Sequence, residues 1–309
     1  QPVVPVAWDV SHAGKLPKPQ HGWRSTFSKV PPTLFARITA GHTESGTEPA
    51  EPFTDGPVAL PEDVAGVLEA LERKGQVILH GPPGTGKTRL ALGAALALAG
   101  RADALNSTPH RRAAAQAEML RDSRIHMVTF HPSYGYEDFV EGFKPDLSVT
   151  GPGLTLALTD GVFHSLCAQA TARPDETFLL IIDEINRGDL PRIFGELVTL
   201  LELDKRGLPL ALSVSRRTFS VPPNVRIIGT MNTADRSISH LDAAVRRRFA
   251  FLPVGPDPDA VSGTVGPLEL AEFFESLNTR IARHLDADHQ IGHAYLLRDG
   301  EPIATENDL

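Results

Sequence analysis

The chain has 309 residues, 41% of them hydrophobic and 22% charged, the balance of a globular protein with room for one large domain and a smaller one. Its net charge of −8 gives no global pull toward nucleic acid, so DNA contact would need a local basic patch, another domain or a partner. No apolar run approaches the ~18 residues that span a bilayer, and a single cysteine, Cys167, excludes internal disulfides and cysteine-built zinc sites, as suits a reducing cytoplasm.

Gln1 stands where a chain would start with Met, and no charged stretch followed by an apolar one comes after it, giving the expectation of a fragment of a longer protein. Residues 1–58 are rich in Pro, Gly, Ser and Thr, with Trp8, Trp23, Phe27 and Phe35 as sparse anchors. They read as an arm or the tail of an upstream domain. Residues 61–74 place Val64, Val67, Leu68 and Leu71 at helical spacing, with Pro61 and acids at the start and Lys74-Gly75 at the end.

The stretch 76–88 carries the clearest chemistry. Val77, Ile78 and Leu79 predict a buried strand that stops at glycine, and Gly81, Pro82, Pro83, Gly84, Thr85, Gly86, Lys87 and Thr88 then fit the phosphate-loop pattern G-x-x-x-x-G-K-[ST]. Glycines let the backbone close around phosphate oxygens with its N–H groups inward. Lys87 would set a positive charge on the outer phosphates, and the Thr88 hydroxyl would bind Mg²⁺. Residues 87–99, including Arg89, predict a helix whose N-terminal dipole adds to the anion site.

Downstream, 108–122 predicts a polar helix with a solvated face, 125–130 a strand, 147–160 a β-hairpin insertion and 161–172 a helix. Residues 177–184 form an apolar run ending in Asp183-Glu184, as a central parallel strand buried on both faces would. Acids at that carboxyl end fall where open α/β sheets bind ligands: Asp183 to hold Mg²⁺, Glu184 to orient and polarise the attacking water. A helix is expected at 189–203, two short strands at 208–221 and a buried strand at 225–230 that leads into Asn232, a polar group able to reach phosphate or the lytic water. Arg246, Arg247 and Arg248 close a further helix, a placement that the helix dipole alone would also favour. Residues 268–285 are amphipathic and begin a helical lid, and His289 with His293 has the spacing of a zinc pair but no third ligand, so packing or capping is expected.

Together these features resemble the AAA+ NTPase module. Four strings are similar to the McrB-type branch, the NTP-driven motor subunit of modification-dependent restriction systems: FHPSYGYEDFVEGFKP (130–145), IIDEINRGDLPRIFGEL (181–197), MNTADRSISHLDAAVRRRF (231–249) and DADHQIGHAYL (286–296). The resemblance covers about residues 60–297 and implies an α/β fold: a parallel sheet flanked by helices, with a hairpin insertion, over 59–253, then a partial helical lid over 254–309. It implies that Gly81 to Thr88 are Walker A, that Asp183 and Glu184 are Walker B, and that Asn232 is sensor 1. Asn186 would help position the catalytic water, and Arg247 and Arg248 would lie near a neighbouring subunit's γ-phosphate.

The implied assembly is a ring, commonly a hexamer, driving DNA translocation or remodelling for an McrC-like nuclease subunit. DNA would be read through the assembly or by a missing N-terminal domain. GTP is implied by the resemblance alone and ATP stays open. Asn232-Thr-Ala-Asp235 lacks the lysine of the N-K-x-D guanine reader and suits a strand tip better. The alternatives are a MoxR-like chaperone, which would not need the 181–197 and 231–249 strings, and a non-catalytic nucleotide-gated scaffold, against which Lys87, Asp183, Glu184 and Asn232 argue.

Overall fold

The computed structural model describes residues 59–146, 154–235, 243–298 and 300–305, all within one unit spanning Pro57–Leu309. The arm expected at 1–58 lies outside the described residues. In chain order come α1 (Glu62–Lys74), β1 (Gln76–Gly81), α2 (Lys87–Leu98), α3 (Pro109–Met119), β2 (Ile125–Thr129), α4 (Tyr136–Phe139), β3 (Glu141–Pro145), β4 (Leu156–Asp160) and α5 (Val162–Ala172). Then follow β5 (Phe178–Asp183), α6 (Leu190–Phe194), β6 (Leu210–Ala211), β7 (Thr218–Phe219), β8 (Val225–Asn232), α7 (Ala243–Arg246) and β9 (Ala250–Pro253). The C-terminal part holds β10 (Thr264–Val265), β11 (Leu268–Glu269), α8 (Leu270–His284), β12 (Leu297–Arg298) and β13 (Glu301–Pro302).

One five-stranded sheet in the order β2-β5-β8-β1-β9, with every pairing parallel, organises the unit. Its strands are apolar on both faces because both faces are covered. In β5, Phe178, Leu180 and Ile182 join the core shared with α4, α5 and α6, while Leu179 and Ile181 join the core under α1, α2 and α3. A third, separate core of Val261, Val265, Leu270, Phe274, Leu296 and Ile303 belongs to the C-terminal part. Helix α1 ends as its sequence predicts: Gly75, at φ 78, donates its N–H to Leu71 O, then β1 begins.

Two expectations shift. The hairpin pairs Glu141–Pro145 with Leu156–Asp160, so its first strand precedes the predicted 147–160 segment, of which 147–153 lie outside the described residues. The signal was masked by Glu141, a carboxylate that is fully buried yet satisfied by Ser215 N at 2.8 Å and by Arg217 at 2.9 Å. The helix expected at 189–203 is only α6, followed by 3₁₀ turns over Gly195–Leu201 and Leu203–Lys205. Gly195 turns the chain at φ 51, and the Tyr136 ring occupies the space where a side chain there would begin.

Within the string 130–145, Phe130 and Phe139 enter the core while His131 and Phe143 stay exposed. Phe139 is fully buried, stacked on Phe163 at 5.0 Å and edge-on to Phe194 at 4.7 Å. Phe139→Ala is therefore expected to cost about 3–5 kcal/mol, read as a lowered urea midpoint with an unchanged slope.

Candidate functional site

The parallel register brings the carboxyl ends of β1, β5 and β8 to one edge of the sheet. Gly81 pairs with Asn232, and Thr233 N donates to Gly81 O at 3.1 Å. The phosphate-loop residues 81–88 leave β1 there and wind into α2, Gly86 adopting φ 81 one residue before the helix begins. A left-handed residue at that point is what frees the loop's N–H groups to converge, and glycine adopts it without strain.

Lys87 is buried and turns back on its own loop, donating to Pro82 O at 2.6 Å and Gly81 O at 3.0 Å. Burial lowers its pKa to about 8, against the opposing pull of Glu184 and Asp183. Thr88 Oγ1 donates to Asp183 Oδ1 at 2.8 Å, and Thr230 Oγ1 to the same oxygen at 2.7 Å. Arg89 lines the adjoining cavity.

Glu184 sits in the left-handed region at φ 53, where a non-glycine residue is strained by roughly 1–2 kcal/mol. It is held by Asn232 Nδ2, which donates to its Oε1 at 2.5 Å, and its own N–H reaches Thr230 Oγ1 at 3.2 Å. Burial, aided by Asp183 and Asp235, raises its pKa against the pull of Arg187 and Lys87. Arg187 spans Glu184 Oε2 at 3.4 Å and Asp235 Oδ2 at 3.5 Å. Asn186 is buried and donates to Asn232 O at 3.2 Å. Glu184 Oε2, Asn186 Oδ1 and Thr233 Oγ1 are all buried without a hydrogen-bond partner. Buried acceptors of this kind ordinarily find a hydrogen-bond partner, and all three belong to residues at or just past the ends of β5 and β8.

Hard oxygen donors on Thr88 and Asp183, joined by a hydrogen bond and adjacent to an anion-binding loop, fit a divalent cation with bound phosphates. Elsewhere, no cluster of three or more His, Cys, Asp or Glu residues is arranged to hold a metal among the described residues. His289 instead caps with Asp286, its Nδ1 at 2.5 Å from Asp286 Oδ1.

The three arginines separate. Lys74 Nζ donates to Arg247 O and Gln76 Nε2 to Arg248 O, which sets this turn at the start of β1, about 17 Å along the strand from the phosphate loop. Arg246 and Arg247 are exposed. Arg248, expected near a neighbouring subunit's γ-phosphate, is 4% exposed and pairs with Glu202 of its own chain at 2.9 Å.

Sequence reading missed the C-terminal contact with the loop. Gly292 N donates to Pro83 O at 2.9 Å and Ala294 N to Gly84 O at 3.0 Å. A Cβ on Gly292 would lie 1.9 Å from Gly84 C, so only glycine permits the approach. His293 accepts from Asp257 N at 3.3 Å and, with Thr85, Gly86, Arg89, Asp63 and Asp257, lines a cavity of about 270 Å³ beside the loop. The one clue in the sequence was a glycine inside the 286–296 string.

A family profile described as "AAA domain (dynein-related subfamily)" matches residues 110–249, and one described as "McrB, alpha-helical lid domain" matches residues 269–309. The fold is that of an AAA domain followed by a helical lid. The "Type IV methyl-directed restriction enzyme EcoKMcrB subunit" of Escherichia coli (strain K12) is 36% identical over 261 residues, covering 78% of this chain and 52% of that one. The chain belongs to the McrB type of AAA+ protein.

The "Type II restriction enzyme BsuMI component YdiS" of Bacillus subtilis (strain 168) is 27% identical over 158 residues, covering 40% of this chain and 46% of the relative. The chain thus spans about half the length of the curated relatives it matches. A crystal structure of a putative ATPase from Cytophaga hutchinsonii ATCC 33406 aligns over 79% of this chain and 54% of that one, at 14% identity and a TM-score of 0.35, too remote to add to the argument.

Gly292→Ala is expected to detach the C-terminal segment from the loop. Hydrogen exchange at the Gly292 and Ala294 amides should then quicken by about tenfold or more, the loss of a bond worth roughly 1–1.5 kcal/mol.

Proposed function

We propose that this chain is a Mg²⁺-dependent nucleoside triphosphatase, the motor portion of an McrB-like restriction subunit. One observation carries the reading: Thr88 and Asp183 are hydrogen-bonded across the site, and nearby Glu184 Oε2, which meets only Arg187 at 3.4 Å, and Asn186 Oδ1 are buried with no hydrogen bond. Residues 81–88 would hold the phosphates on backbone N–H groups and on the Lys87 ammonium, which exchanges its loop carbonyls for phosphate oxygens. A divalent ion held by Thr88 and Asp183 supplies charge neutralisation at the phosphates.

Glu184, made more basic by burial and fixed by Asn232, takes the role of orienting the attacking water and drawing its proton. Asn186 Oδ1 is the second acceptor for that water, and Asn232 serves as sensor 1. Arg247 is assigned to the neighbouring subunit's γ-phosphate, a role worth about 10³–10⁵ in rate. Its distance from its own loop supports a site shared between subunits, hence a ring. We take the nucleotide core as 59–253 and the lid as 254–309.

GTP is the favoured nucleotide. Asp63 and Asp257 are among the residues lining the cavity beside the loop, and each keeps one carboxylate oxygen beyond its local backbone bond as an acceptor suited to the ring N–H or amino group of guanine. The names of the relatives support restriction over the MoxR-like alternative, with an McrC-like nuclease subunit as partner and DNA engaged through the assembly. Among the described residues no helix is long and apolar enough to cross a membrane.

The test is turnover of GTP and ATP measured side by side, with and without Mg²⁺. Glu184→Gln is expected to retain nucleotide binding while cutting kcat by about 10²–10⁴, the contribution of a positioned base; unchanged turnover would sink the assignment. Lys87 supplies a pH test. Below about pH 8 the ammonium is present before and after binding. Above it the empty loop loses the proton that phosphates restore, so binding takes up a proton. Kd should then rise toward about tenfold per pH unit, and Lys87→Arg should flatten that rise.

A further inference from the structure

Arg247 is 67% exposed, yet the backbone beneath it is gripped from two sides. Its carbonyl accepts from Lys74 Nζ at 3.1 Å, and the next carbonyl, that of Arg248, accepts from Gln76 Nε2 at 2.6 Å. The Arg248 side chain is itself an anchor: NH2 pairs with Glu202 at 2.9 Å and NH1 donates to Ala244 O at 2.6 Å. Glu202 also lies 3.9 Å from Arg247 NH2 and is steadied by Lys205 at 2.5 Å.

Gln76 is the hub of this turn. It is 1% exposed at the first position of β1, where a side chain of this size need carry no polar atoms to fill the space. All its bonding capacity goes sideways. Nε2 donates to Leu201 O at 2.9 Å as well as to Arg248 O, and Oε1 accepts from Arg206 NH2 at 2.8 Å. Arg206 in turn donates to Leu201 O at 3.1 Å. Three segments distant in sequence, 74–76, 201–206 and 247–248, are thereby fixed to one another around the exposed Arg247 side chain, whose NH2 lies at the edge of ion-pair distance from Glu202. A buried amide left unpaired costs more than the bond it makes, so the set holds together or fails together.

We propose that Gln76 and Glu202 are positioning residues that fix Arg247 for the nucleotide site of the adjoining subunit. Arg248 is the internal brace of the pair and not the residue that crosses the interface. This rests on the reading of Arg247 as acting in trans, and the experiment separates the two.

Two variants of the full-length chain are mixed. Lys87→Ala cannot seat phosphates but still presents Arg247, while Arg247→Ala keeps its loop and lacks the arginine. The mixture is expected to recover turnover that neither variant has alone. Adding Glu202→Ala or Gln76→Leu to the Lys87→Ala chain should lower the recovered kcat by about tenfold or more at unchanged KM, as a displaced group does. Adding either to the Arg247→Ala chain should leave recovery within about twofold, and Glu202→Gln, which keeps an oxygen for Arg248, should retain most of it. An equal loss in either chain would reduce these residues to fold support, and no loss in the Lys87→Ala chain would refute positioning outright. Failure of the parent mixture to recover would remove the trans arginine, and this proposal with it.

Discussion

A single carboxylate oxygen, Asp183 Oδ1, accepts from the hydroxyls of Thr88 and Thr230, and the site depends on that sharing. The two donors arrive from the helix after β1 and from β8, and the acceptor ends β5. Because β8 lies between β1 and β5 in the sheet, the shared oxygen ties the tips of three adjacent strands at the edge where their side chains converge. Parallel pairing makes this possible, since it puts the carboxyl ends side by side. The second Thr230 contact, from Glu184 N, then passes the same constraint on to the neighbouring carboxylate.

Charge is balanced at close quarters. The Lys87 ammonium is flanked by Asp183 and Glu184, and Glu184 is flanked by Arg187. Burial acts on two members of the group, lowering the pKa of Lys87 and raising that of Glu184, while Arg187 stays half-exposed beside them. The left-handed backbone at Glu184 belongs to this economy of space. It sets the carboxylate across from Asn232 instead of letting it follow the strand into solvent.

Much of this was legible in the sequence because it is local. The glycine spacing of 81–86, the apolar runs of β1 and β5 and the acids closing β5 lie within a few residues of one another. What escaped was set by contacts between distant segments. Three adjacent arginines look alike as letters, and only the folded turn separates a buried Arg248, held by Glu202 and Ala244 O, from an exposed Arg247. The periodic leucines of 193–201 read as one helix, and Gly195, needed for the approach of Tyr136, divides it. Gly292 carries no motif, and its fit against Gly84 spans some two hundred residues of chain. Thr230, which proved to be the second clasp on Asp183, reads in the sequence as one more β-branched residue of a strand.

Lys87 rests on the carbonyls of Gly81 and Pro82. A cradle that answers its own cation strands no charge when its guest departs. Backbone oxygens that any residue could supply thus hold the ammonium in place, and the loop keeps its shape through its own main chain.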